Sequence, residues 1–130
     1  MNNLPRGADL LAIARETLLT GLRPLLGENE RYTLAMIANA MAIAARETEA
    51  GEAPALAALG RLDALYGGPP RELHGAALAE TLRTHGRRLA ADIRAGRYDA
   101  NDERQRALIE HLRESVRAKL RISNPKSVEP

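Results

Sequence analysis

The sequence predicts an all-α, single-domain bundle of about five helices, and three observations carry that expectation. Hydrophobic residues fill 45% of the 130 positions while aromatic residues fill only 2%, with no Phe and no Trp, so a core must be built from Leu, Ile, Met and Ala. Alanine and leucine have the best helix propensities, and the aromatic and β-branched residues that suit pleated sheets are scarce. The run from Thr33 to Ala45 is apolar almost all the way around a helix, and such a helix needs protein on several sides. The helix expected over about Arg31 to Ala50 is therefore taken as the axis of the fold.

The other elements follow from periodicity and punctuation. A first helix is expected to start near Asp9, whose side chain can cap free amides, and to run through Leu10, Leu11, Ile13, Leu18, Leu19 and Leu22 until Pro24 ends or kinks it. The polar turn Gly27-Glu28-Asn29-Glu30 leads into the axial helix, and Gly51 closes that helix. A third helix is expected from about Pro54 to Tyr66, with Leu56, Leu59, Leu62 and Tyr66 on one stripe. Gly67-Gly68-Pro69-Pro70 reads as a tight corner rather than a linker between domains. A long fourth helix from Arg71 to Ala95 keeps Leu78, Leu82, Leu89 and Ile93 on one side, with a bend expected near Gly86 and a cap at Gly96. The last helix opens at Asp99 or Asn101, carries Leu108, Ile109, Leu112, Val116 and Leu120, and stops at Ser123-Asn124-Pro125. Residues 1–130 are thus expected to form one helical domain with mobile ends at 1–7 and 126–130.

Composition narrows the function classes. With no cysteine there is no disulfide framework, thiolate metal site or cysteine nucleophile, which suits a reducing compartment, and the chain is expected to be cytoplasmic. The N-terminal residues lack the basic region and apolar core of a signal peptide. The apolar run around Asn39 falls short of the roughly 20 residues that a bilayer requires, so no membrane association is expected. Because alanine offers little area for burial, close packing or a homo-oligomer is expected to compensate.

No motif marks a catalytic site, a metal or a cofactor. His74, His85 and His111 fall in no metal-ligand spacing and are assigned structural or surface roles. There is no Gly-x-Ser-x-Gly elbow and no Gly-x-x-x-x-Gly-Lys phosphate loop. Glu110 and Glu114, interleaved with Arg113 and Arg117, read as an exposed charged face. The basic cluster Arg83, Arg87, Arg88, Arg94 and Arg97 is interrupted by Asp92 and lacks aromatic residues for stacking bases, so no nucleic-acid partner is expected. Arg113, Arg117 and Arg121 recur every four residues near the end of the last helix, where a row of guanidinium groups suits phosphate, carboxylate or an acidic partner. Asn39, alone inside an apolar helix, must find hydrogen bonds in the core or at a symmetric interface, where it would fix register.

Three segments carry a resemblance: Ala38 to Glu47, Ile93 to Asp99, and Leu112 to Lys126, of which the closing Leu-x-Ile-Ser-Asn-Pro-Lys element is the most specific. From Arg31 onward the chain resembles a family of small, uncharacterised, all-helical bacterial proteins, often encoded beside aminoglycoside-phosphotransferase-like kinases and acyl-CoA dehydrogenases. The resemblance implies a cytoplasmic accessory role near acyl-CoA metabolism, with such a dehydrogenase or kinase as partner, and it supplies no catalytic residue. The expected function is a non-catalytic accessory or interaction protein; the alternative is a small-molecule module for an acyl or CoA-type ligand using the arginine row. An enzyme would require a cavity joining His85 or His111 to a carboxylate of perturbed pKa.

Overall fold

A computed structural model describes residues 4–130, so residues 1–3 of the expected mobile end at 1–7 lie outside it. The fold is all-α, with α1 at Gly7–Thr17, α2 at Glu28–Ala50, α3 at Ala53–Leu65, α4 at Gly75–Arg94 and α5 at Glu103–Ser123. No described helix is long and apolar enough to cross a membrane. Contacts divide the chain into two compact units, Met1–Gly51 and Glu52–Pro130.

In the first unit, α1 begins two residues before Asp9, because Asp9 acts from inside the first turn, where its carboxylate accepts the backbone N–H of Arg6 at 3.0 Å. The α-helix ends at Thr17 and widens into a π turn, Leu18–Leu22, before the 3-10 turn Arg23–Leu25 that contains Pro24. Thus α1 is shorter than its leucine pattern predicts. Helix α2 starts three residues earlier than expected, with Glu28 and Glu30 placed at the positive end of its dipole. The two helices are antiparallel: Arg15 Nε donates to the Ala38 carbonyl at 3.1 Å, while Gly7 lies beside Thr48.

Burial of α2 is one-sided. Leu34 and Ala38 are its buried residues, whereas Tyr32 (70% exposed), Met36 (55%) and Ile37 (47%) stay open. The expectation of cover on several sides is not met: within the first unit α1 and the π turn after it pack on α2, and they leave Tyr32, Met36 and Ile37 exposed.

In the second unit α3 packs against both α4 and α5. Helices α3 and α4 run parallel, as their contacts show: Glu52 meets Gly75, Asp63 meets His85 and Tyr66 meets Asp92. A parallel pair needs a return connection, and residues 67–74 supply it. For that reason Arg71 to His74 are not helical, contrary to the sequence expectation. The Glu52 carboxylate ends the return by accepting Gly75 N–H at 2.6 Å and His74 Nδ1–H at 2.9 Å. Helix α5 comes back antiparallel, started by Asp102, whose side chain accepts Gln105 N–H at 3.0 Å. Pro125–Ser127 form a 3-10 turn after the Asn124 stop.

The core of this unit is Leu62, Leu89, Tyr98 and Leu108, with Leu65, Tyr66 and Leu82 packed against it. Ile93, Ile109, Leu112 and Val116, expected on buried stripes, are exposed. Ile93 and Leu112 border the open space between α3, α4 and α5, and Ile109 and Val116 are left uncovered on α5.

Candidate functional site

Helix α3 carries only two charged residues, Arg61 and Asp63, on an otherwise apolar sequence, Ala-Pro-Ala-Leu-Ala-Ala-Leu-Gly-Arg-Leu-Asp-Ala-Leu. Residues two apart on a helix point about 200° apart, so the two charges leave α3 on nearly opposite sides. Each anchors a separate polar arrangement.

Arg61 enters a cavity of about 490 Å³ whose walls come from α3, α4 and α5. Small residues make the room: Ala55 and Ala58 on α3, Gly86 and Ala90 on α4, and Ala118 on α5. Leu62, Leu82, Leu89, Ile93 and Leu112 make the walls apolar. The volume falls within the range of small-molecule sites, roughly 300 to 1,000 Å³, and an apolar lining with a few convergent polar groups is their usual make-up. The polar groups are Arg61, His111, Ser115 and Lys119.

Arg61 Nε donates to His111 Nδ1 at 3.3 Å, and its Nη2 donates to Ser115 Oγ at 3.4 Å. Arginine only donates, so the His111 proton sits on Nε2. Burial, and then the nearby Arg61 charge, hold the His111 pKa below the ordinary histidine range and keep the ring neutral. Both acceptors of Arg61 are neutral, and among the described residues no carboxylate comes within 4 Å of its guanidinium. Glu114 is near enough to feel the Arg61 charge, but its carboxylate is held at 2.7 Å by Arg117. The cavity wall thus carries a half-buried cation whose direct hydrogen bonds, among the described residues, go to neutral groups.

Asp63 points toward the return segment. Arg71 grips both of its oxygens, and Arg71 Nη2 also donates to His85 Nε2 at 2.6 Å. His85 stacks on Tyr66 with ring centroids 6.0 Å apart, and the Arg88 guanidinium covers the Tyr66 ring at 3.8 Å. The Tyr66 hydroxyl donates to Asp92 at 2.8 Å, and Arg97 faces the same carboxylate at 3.3 Å. Burial and then Asp92 push the Tyr66 pKa well above its ordinary value. His85 therefore does stand near a carboxylate, 3.7 Å from Asp63 Oδ1, but Arg71 occupies both groups.

The residues singled out in the sequence are not gathered at the cavity. Arg113 lies 3.6 Å from Glu110 and Arg117 2.7 Å from Glu114, so much of the row is paired along its own helix. Arg121 is exposed. Asn39 is exposed on α2, which corrects the core placement and leaves the interface one. The physical reason lies within the first unit: Asn39 is on the side of α2 away from α1. In the basic cluster Arg83 pairs with Glu80, and Arg88 and Arg97 attend Asp92. Arg61 falls in no motif and carries one signal in the sequence: it is the sole base of the most apolar helix.

Residues 24–127 match the family described as a domain of unknown function, DUF6285. The chain belongs to DUF6285. No curated protein and no solved structure matches it. The DUF6285 match agrees with the resemblance to an uncharacterised family and begins at Pro24, before the axial helix, so it spans α2 through α5.

Proposed function

We propose that this DUF6285 protein is a non-catalytic accessory protein that holds an acyl-type ligand, an apolar chain bearing an anionic group, in the α3–α4–α5 cavity. The observation that carries the reading is Arg61: an apolar cavity with one half-buried cation, whose hydrogen bonds go only to neutral groups, suits an amphiphilic anion. The implied setting is cytoplasmic acyl-CoA metabolism, with an acyl-CoA dehydrogenase or a phosphotransferase-like kinase as partner. Arg113, Arg117 and Arg121 then form an outer contact for an acidic surface, and the protein works as a homo-oligomer.

Decanoate and decanol test the reading as paired probes of one chain length. Decanoate is expected to raise the melting temperature more than decanol, since a ligand that binds only the folded state stabilises it. Arg61→Gln should remove the preference for the carboxylate. Gly86→Leu should abolish the response to both; a Cβ at Gly86 meets nothing within 4 Å, so the new side chain starts into the cavity, and circular dichroism on the variant checks that the helices persist. Equal responses to the two probes, or responses that survive both variants, would refute the assignment.

A further inference from the structure

Helix α2 has two apolar seams on opposite faces. Leu34, Ala38, Met41, Ala45 and Thr48 recur at spacings of four and three on the side that faces α1, the side fixed by the Arg15 to Ala38 hydrogen bond and by Gly7 beside Thr48. Tyr32, Met36, Asn39 and Ile43 recur at the same spacings, displaced from the first set by two residues, or about 200° around the helix. This second seam is open: Tyr32, Met36 and Asn39 are exposed and Ile43 is half-buried. A four-three spacing is the pattern by which one helix packs along another. The residues flanking the open seam, Ala35, Ala40 and Ala42, are small and allow close approach.

We propose that a second copy of this chain covers the open seam, with α2 paired to α2 in parallel and in register about a two-fold axis. The choice of occupant rests on Asn39. A carboxamide donates and accepts, so it is its own complement, and a two-fold axis along the pair sets Asn39 against Asn39. In the antiparallel arrangement of the same seam, Tyr32 would meet Ile43 and Asn39 would meet Met36, leaving a buried amide without a partner. An unsatisfied buried polar group costs about 1 to 3 kcal/mol, so the amide selects the parallel register. The unit itself needs the cover: two helices that bury only Ala8, Leu34 and Ala38 lack the apolar burial that usually sustains a fold. The proposal makes specific, and rests on, the homo-oligomer of the functional reading, and it is independent of the cavity ligand.

The chain has no cysteine, so single-cysteine variants of the full chain report pairing without background. Under oxidation Tyr32→Cys, Met36→Cys and Asn39→Cys should each link to themselves in high yield, because a disulfide needs Cα atoms within about 7 Å. Thr48→Cys, on the α1 side, should not. Light scattering on the unaltered protein should give twice 14.1 kDa. A monomer would overturn both this pairing and the homo-oligomer. A dimer in which Tyr32→Cys fails to link, as the antiparallel pairing requires with its two copies separated by about 16 Å along the helix axis, would overturn the pairing alone. Circular dichroism on each variant confirms that α2 persists.

Discussion

Arg71 and Asp63 form the clasp that lets α4 lie parallel to α3. Arg71 Nε is 3.3 Å from Asp63 Oδ2, its Nη2 holds Oδ1, and the pair pins the middle of the 67–74 return against α3. Asp63 is buried and Arg71 is partly exposed, so the bond is shielded from water on the carboxylate side.

Removing the clasp from the arginine side leaves a buried carboxylate with only His85 nearby. Loss of one partner of a fully buried pair costs about 3 to 5 kcal/mol, and the partial exposure of Arg71 lowers the expected loss for Arg71→Ala to about 2 kcal/mol. Urea unfolding measures it. Asp63→Asn should cost less, because the amide oxygen still accepts from Arg71.

His111 should make stability depend on pH. Its folded pKa is depressed by burial and by Arg61, so the unfolded chain takes up a proton near pH 6.5 that the folded chain resists. The contribution is therefore fully present above about pH 6.5 and is lost as pH falls through the folded value. His74 runs the other way, since Glu52 raises its pKa, and its stabilisation is lost as pH rises. Comparing the slope of stability between pH 5 and 7 with that of His111→Gln isolates the buried ring, and the variant should show the smaller fall toward acid. The titration of His111 followed by NMR should lie below that of His74.

Gly96 sits at φ +77°, where a side chain is strained, and a Cβ there would come within 2.9 Å of the Asp99 carboxylate. Gly96→Ala should destabilise the protein by about 1 to 2 kcal/mol, read from the denaturation midpoint. Gly60→Ala is the natural contrast: it is helical, a Cβ there meets nothing within 4 Å, and alanine should stabilise α3 slightly.

Much of this architecture is legible in the chain. Helices α2, α3 and α5 stand within a few residues of where periodicity and caps place them, but the one-sided burial of α2 was not legible, because a run apolar nearly all the way round does not mark which face is left open. The start of α4 was not legible, because Pro69 and Pro70 look the same before a tight corner as before a segment that runs back along α3. On α5 the arginine row is plainer in the sequence than its pairing. Arg113 and Arg117 stand out as a row, yet Glu110 and Glu114, each three residues earlier, already pair with them. Arg61 was obscured because its meaning depends on what α4 and α5 bring to it, and long-range placement has no local signature.

The most direct test of the account is an NMR titration of decanoate into protein with labelled Leu and Ile methyl groups. Saturable shifts are expected at Leu82, Leu89, Ile93 and Leu112, which line the cavity, with Leu34 and Ile37 in the first unit unmoved, and those shifts should be lost in Gly86→Leu. Shifts that do not saturate, that appear equally at Leu34 and Ile37, or that persist in Gly86→Leu would contradict it.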